Sequence, residues 1–136
     1  MSDCELCGQT GGELLWQDAR CRVVEVTDAG YPGFCRVIWR AHEKEMTDLS
    51  EDDRKHLMHV VFAVEAVLRE QLDPLKINLA SLGNLVPHLH WHVIPRHGDD
   101  PHFPQPIWAG AQRPVRADIR RTDTHALAQA LAARLG

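Results

Sequence analysis

The chain has 136 residues, 44% of them hydrophobic and 25% charged, which predicts one globular domain over residues 1–136. A formal net charge of −4 excludes the overall basic field of proteins that bind nucleic acid polymers or anionic membranes. The sequence has no signal-peptide pattern and no apolar run of about 18 residues. We therefore expect a cytoplasmic protein with no membrane partner.

Two β-prone segments open the predicted fold. The Val-rich segment 21–28 and the segment 34–39 flank the turn-forming sequence AGYPGF, which predicts an antiparallel hairpin. Val24 and Val26 share one face of the first strand, where they either line an apolar base pocket or belong to an ordinary core.

A long helix follows the hairpin. Ser50 and Asp53 have the spacing of a helix cap with an acidic first turn, and Asp73-Pro74 predicts the end of the helix. The apolar residues between them recur at helical spacing: Leu57, Val60, Val61, Val64, Leu68 and Leu72. A strand is then predicted over 76–82, and Gly83-Asn84 predicts a turn.

Three histidines alternate with apolar residues in the run HLHWHVIPR that follows Pro87. In an extended strand His88, His90 and His92 share one face at a spacing of roughly 6.6 Å, which suits a small anion such as phosphate. A neutral imidazole is also a competent nucleophile. Two alternatives stay open: ordinary core or surface histidines, and a metal site built from the triad.

The last third of the chain predicts a loop and a helix. Residues 97–114 are rich in Pro, Gly and aromatic residues without helical or strand period, which predicts an ordered loop able to cover a site. Residues 122–135 are Ala-rich with Leu at every fourth position, which predicts a terminal helix. Arg96 at the strand end is expected to face water, and His97 and His102 receive no role.

The run from His88 to Ile94 resembles the signature of the histidine-triad (HIT) superfamily, three histidines separated by apolar residues. The likeness extends to INLASLGNLVPHLHWHVIPR and PGFCRVIWRAH, and it is greatest with bacterial proteins labelled diadenosine-tetraphosphate hydrolase-like. The resemblance implies an α+β fold, with about five antiparallel strands, one long helix and a C-terminal helix. It also implies a homodimer.

The resemblance implies roles for particular residues. His90 would attack the α-phosphate of a small nucleotide substrate and carry a nucleotidyl intermediate, while His92 would bind phosphate oxygens and help the leaving group. Asn78 and the backbone amides near Gly83 and Asn84 would contact phosphate. The implied activity is nucleotide hydrolysis or nucleotidyl transfer, with a dinucleoside polyphosphate or nucleoside phosphoramidate as substrate and no cofactor required for the chemistry.

Two positions depart from the family pattern. Leu85 replaces the Ser or Thr that many members have three residues before the triad. Val26 occupies the position of an acid that binds ribose, with Glu25 or Asp28 as displaced substitutes. Two other functions therefore stay open: a nucleotide-binding module with little turnover, and a zinc-dependent hydrolase that uses the triad as ligands.

The N-terminal residues 1–10 include the pair Cys4-x-x-Cys7, which is typical of zinc knuckles but also of redox pairs. The resemblance adds His42 and His88, giving a closed Cys2His2 set for a structural Zn²⁺. The remaining cysteines, Cys21 and Cys35, are predicted to be buried apolar residues.

Overall fold

The computed structural model describes residues 4–136, so the first three residues of the predicted 1–10 zinc knuckle lie outside the described residues. Five strands form one antiparallel sheet in the order β1-β2-β3-β5-β4. Their bounds are β1 Glu13–Gln17, β2 Cys21–Glu25, β3 Cys35–Trp39, β4 Lys76–Ala80 and β5 His90–Arg96. The predicted α+β fold with a five-stranded antiparallel sheet is confirmed.

The two longer helices begin at residues whose side chains cap them. The short α1 spans Glu5–Gly8, the long α2 spans Glu51–Leu72 and α3 spans Thr124–Leu135. The Ser50 hydroxyl accepts from the Asp53 amide at 3.1 Å, as predicted for the start of α2, and Asp73 ends α2 in a left-handed conformation. α3 begins later than the predicted residue 122 because Asp123 caps it.

The main core lies between one face of the sheet and helix α2. Cys35 and Val37 of β3 and Val93 of β5 pack there against the apolar side of α2, including Val60, and α3 covers its edge. Burying each large aliphatic side chain contributes about 1.5–3 kcal/mol. The alternate residues of β3 and β5 point to the other face of the sheet, which therefore remains available for a site.

The strand boundaries differ from the predicted ones. β2 ends at Glu25 rather than at residue 28, because Asp28 begins the turn and accepts from the Gly30 amide through its side chain. β3 begins at Cys35 and β4 ends at Ala80. Strand β1 was not predicted, because an irregularity between Leu14 and Trp16 breaks its alternation of buried and exposed residues.

Among residues 4–136, no helix is long and apolar enough to cross a membrane.

Gly33 joins the hairpin turn to the core through a conformation that other residues rarely adopt. Its φ is +86°, and a Cβ added there would lie 2.5 Å from Leu72 Cδ1 and 3.3 Å from Pro95 Cγ. The turn therefore approaches the C-terminal end of α2 closely, and this position requires glycine.

We expect Gly33→Ala to lower the free energy of unfolding by about 1–3 kcal/mol, because the substitution adds both backbone strain and a steric contact. Urea denaturation measures this change. Gly98→Ala is the matched control, since nothing lies within 4 Å of its added Cβ. Equal losses in the two variants would contradict this account of the turn.

Candidate functional site

His88 lies before strand β5 rather than on it, which corrects the prediction that all three histidines share one face of a strand. Its ring is completely buried, and Nε2 lies 2.6 Å from the Trp39 carbonyl oxygen. Because a carbonyl only accepts, Nε2 carries the proton, and Nδ1 presents a lone pair on the other side of the ring. Burial also lowers the pKa of His88.

The Nδ1 atom of His88 belongs to a cluster of four possible metal ligands. It lies 3.4 Å from both Cys4 Sγ and Cys7 Sγ and 3.2 Å from His42 Nδ1, and Cys7 Sγ lies 3.3 Å from His42 Nδ1. Ligand atoms around a tetrahedral zinc ion are roughly 3.3–3.8 Å apart. The four predicted residues are thus brought together with the donor set and spacing of a site that could hold a metal ion.

His90 begins β5 and is held by the backbone of His88. Its Nδ1 lies 2.6 Å from the His88 carbonyl oxygen, so Nδ1 carries the proton and Nε2 has the lone pair. The residue is only 7% exposed, and burial lowers its pKa, which keeps the ring neutral. Ser81, to which no role was assigned, donates to the His90 carbonyl at 2.8 Å.

His92 lies beside His90 on the same face of β5. The two ring centroids are 4.9 Å apart with the rings nearly perpendicular, and the ring centroid of Trp108 lies 5.1 Å from that of His92. Burial, reinforced by the neighbouring His90 and by the positive charge of Arg36, lowers the pKa of His92 to about 4. Its Nδ1 is buried without a hydrogen-bond partner.

A cavity of about 520 Å³ opens next to His92. Val26 and Phe34 line one side of it, and Ile107 and Trp108 of the loop after β5 line another. The polar groups around it come from both the hairpin and the loop: Asp28, Tyr31, Arg36, His102 and Arg113. Apolar walls with a few polar groups are typical of pockets for small organic ligands, and this volume falls in their range.

The loop over this cavity is organised by a buried ion pair. Arg96, expected to face water, is 2% exposed and instead contacts Asp100 through Nε at 2.7 Å and NH2 at 3.0 Å. Burial alone would raise the pKa of Asp100, but these hydrogen bonds lower it to about 2. The same carboxylate also accepts from the Tyr31 hydroxyl and from the amides of His97, His102 and Phe103.

Four residues predicted to bind substrate do not line the cavity. Val24 is fully buried with Leu6 and Ile38, as an ordinary core residue would be. Asn78 lies on the edge strand, where its Oδ1 accepts from Arg96 at 2.8 Å. Gly83 and Asn84 form the predicted turn before the triad, with a φ of +73° at Gly83, but neither reaches the cavity.

The two departures from the family pattern have structural counterparts. Leu85 has an apolar side chain that is 96% exposed, so this position offers no hydroxyl to a ligand. Of the two acids near Val26, Glu25 is engaged elsewhere, because it accepts from the Gly33 amide and from the Thr122 hydroxyl. Asp28 lines the cavity and is the acid available to a ligand there.

Sequence reasoning missed Arg36 and Tyr31 and gave no role to His102, although all three line the cavity. Arg36 lies opposite His92 on the neighbouring strand, a pairing that only the register of the sheet reveals. Tyr31 and His102 meet across 71 positions of sequence through a hydrogen bond between the tyrosine hydroxyl and His102 Nδ1. No local motif marks such contacts.

Comparisons with known proteins give the family of this site. The HIT domain family matches residues 8–99, which is more than half of the chain. The chain belongs to the HIT domain family. A comparison with curated proteins found no match.

Solved structures of HIT proteins are similar over most of this chain. A histidine triad protein from Bradyrhizobium japonicum is 29% identical, covers 91% of this chain and 92% of its own, and has a TM-score of 0.72. One from Marinobacter aquaeolei is 26% identical, with coverages of 93% and 90% and a TM-score of 0.71. A zinc-bound histidine triad family protein from Mycobacterium smegmatis shares the fold at 21% identity, with coverages of 98% and 94% and a TM-score of 0.64.

We expect His92 of this HIT domain to titrate near pH 4 instead of near its ordinary value of about 6.5. The unfolded chain then binds more protons than the folded one between these two values. His92 therefore costs no stability above about pH 6.5, and it lowers stability by up to about 1.4 kcal/mol per pH unit as the pH falls towards 4.

The His92 ring resonances in an NMR pH titration measure this directly, with the urea-unfolded chain as the reference. A midpoint near 6.5 in the folded protein would show that the ring is not desolvated as described.

Proposed function

We propose that this protein is a nucleotide hydrolase or nucleotidyl transferase that acts at the α-phosphate of a nucleoside phosphate derivative, through a nucleotidyl-His90 intermediate. One observation carries the proposal. The His88 carbonyl holds the Nδ1 proton of His90, which leaves a neutral Nε2 lone pair on a buried ring beside His92, and His92 in turn lines the cavity.

Covalent catalysis by His90 divides the displacement into two steps. The Nε2 lone pair forms a bond to the α-phosphorus, and the bond from phosphorus to the leaving group breaks with its electron pair. Water or another acceptor then attacks the same phosphorus and releases the nucleotide from His90. The fixed hydrogen bond to His88 stabilises the positive charge that develops on the ring during the first step.

His92 is suited to hydrogen bonding rather than to full proton donation. With a pKa of about 4, its ring is neutral near pH 7, so it offers one N–H donor to phosphate oxygens or to the departing group. The close approach of the two rings brings that donor to the phosphate that His90 would attack. This arrangement supports the role that the family resemblance implies for His92.

The cavity suits the nucleoside part of such a substrate. Val26, Phe34 and Trp108 offer apolar and aromatic surface to a base, and the Asp28 carboxylate offers acceptors to ribose hydroxyls. Nothing in this set of residues selects the leaving group, so dinucleoside polyphosphates and nucleoside phosphoramidates are both substrate candidates, and the diadenosine-tetraphosphate hydrolase-like subtype remains one of these options.

We expect His90→Ala to abolish formation of a nucleotidyl adduct, because no other group replaces the Nε2 lone pair at this position. Intact-mass spectrometry in a mildly alkaline denaturing quench measures the adduct after brief incubation with adenosine and guanosine derivatives, since phosphohistidine-type bonds are lost in acid. The matched control is His59→Ala, which removes an exposed histidine of α2 and should leave the adduct unchanged.

Two alternatives have distinct outcomes in that experiment. A binding module with little turnover, which the exposed Leu85 favours, would bind nucleotides without an adduct and without activity that His90→Ala could remove. A metal-centred hydrolase would lose both activity and metal. Among residues 4–136, His90 and His92 belong to no cluster of metal-ligating side chains, so we propose a chemistry in which these two rings act without a metal ion.

We also propose that Cys4, Cys7, His42 and His88 hold a structural Zn²⁺. Their spacing fits a tetrahedron, and the related protein from Mycobacterium smegmatis is zinc-bound. Four protein ligands leave no open position for a reacting water, so the ion would supply structural stability and no catalytic step. The bond from His88 Nε2 to Trp39 would orient the ligand ring.

We expect His42→Ala to reduce bound zinc from about one equivalent to much less than one and to lower the melting temperature. Metal analysis of the purified protein and thermal denaturation measure both effects. His59→Ala again serves as the control and should keep its zinc. Unchanged zinc content in His42→Ala would contradict the ligand assignment.

Homodimer formation and a cytoplasmic location stay predictions, the first drawn from the family resemblance and the second from the sequence.

A further inference from the structure

We propose that Arg36, together with His92, binds the anionic phosphate group of the substrate and thereby makes the site selective for nucleotides over nucleosides. The inference rests on the proposed function, because it assigns the phosphate contact of that same site. It concerns a residue to which no role was assigned from the sequence, and which precedes His88 by 52 positions.

Arg36 faces the same cavity as His92. The two residues are direct partners in the antiparallel pairing of β3 and β5, so their Cβ atoms are about 4.5–5.5 Å apart on one face of the sheet. Both line the cavity that also contacts Val26, Phe34 and Trp108. A ligand that places its base against these apolar side chains therefore has its next group within reach of Arg36 and His92.

Both residues contain a buried polar atom without a hydrogen-bond partner. Within the described residues these are the only such side-chain atoms: Arg36 Nε and His92 Nδ1. A buried polar atom without a partner is costly, and two of them at one register position of a sheet are unusual. His92 is also only 6% exposed, so solvent has little access to its ring.

The charge of Arg36 is available to such an anion. Among the ion pairs of residues 4–136, none includes Arg36, and its NH1 donates only to the neutral Gly11 carbonyl at 3.1 Å. Arg113, the other arginine at the cavity, donates to the carbonyls of Asp100 and Phe103 and braces the loop instead. Neither arginine at this cavity has a carboxylate partner among the described residues, but Arg113 is held by two loop carbonyls and Arg36 by one carbonyl.

The chemistry of the guanidinium suits phosphate. It stays protonated at all accessible pH values and presents its N–H donors in a plane, which matches the oxygens of a phosphate. In many HIT proteins a Ser or Thr hydroxyl three residues before the triad would bind the phosphate, but here that position is Leu85, which is exposed to solvent. Arg36 supplies a contact from the opposite strand, and it adds a full positive charge where negative charge accumulates during transfer.

The test compares AMP and adenosine as probes of the full-length protein by isothermal titration calorimetry. Wild type should bind AMP more tightly than adenosine. In Arg36→Met the dissociation constant for AMP should rise about ten- to a hundredfold, as expected for a lost charge-assisted hydrogen bond, while that for adenosine changes less than about twofold. Arg40→Met, which removes an exposed arginine just after the same strand, should keep the wild-type ratio.

Three results would overturn the inference: equal affinities of wild type for the two probes, an unchanged AMP affinity in Arg36→Met, or parallel losses for AMP and adenosine. Thermal denaturation checks that each variant folds. Should Arg36→Met fail to fold, Arg36→Gln, which keeps an amide donor but no charge, is judged by the same ratio. The titration needs no turnover, so it can fail while the His90 adduct forms, or succeed while the adduct is absent.

Discussion

The site depends on the three hydrogen-bonding groups of His88. Nε2 donates to the Trp39 carbonyl, Nδ1 points into the Cys4, Cys7 and His42 cluster, and the backbone carbonyl holds the ring of His90. The bond to Trp39 places the proton of the His88 ring on Nε2 and leaves Nδ1 for the cluster. The bond to the His88 carbonyl likewise places the proton of the His90 ring on its Nδ1. A substitution of Cys4 or Cys7 can therefore alter the orientation of His90, the predicted nucleophile, through His88 alone.

A second constraint acts on the opposite end of β5. The Arg96–Asp100 ion pair is buried, and a buried charge is tolerated only when its partners satisfy it fully. Here the carboxylate also accepts from backbone amides of the loop, so the pair links β5 to the segment that carries Trp108. The Arg96 end of β5 thus positions the loop wall of the cavity, opposite the wall formed by Val26 and Phe34.

Apolar periodicity and capping residues were sufficient to predict the helices and strands that have strong local sequence signals. Ser50 and the apolar spacing that follows it predicted α2. The location of the site at the triad, which the family resemblance implies, stays a prediction. Strand β1 was not predicted because its bulge removes the alternation of buried and exposed residues on which strand prediction depends. The boundaries of β2 and α3 depend on side-chain caps, which shift an element by a few residues.

The site was harder to predict where it depends on contacts between distant residues. Val26 reaches the cavity and Val24 does not, although both lie on one face, because Leu6 covers only the latter. Arg36 and His92 become neighbours through strand register, and Arg96 is buried by a loop that follows it. None of these contacts is marked by a sequence motif in the residues next to Val26, Arg36 or Arg96.

The separation of the two faces of the sheet has an evolutionary consequence. Val37 and Val93 face the α2 core, whereas their neighbours Arg36 and His92 face the cavity. Substitutions on the cavity side, and insertions in the loop that covers it, can accumulate without repacking the helix. A lineage with this architecture can diversify its ligands while its folding determinants stay under independent selection.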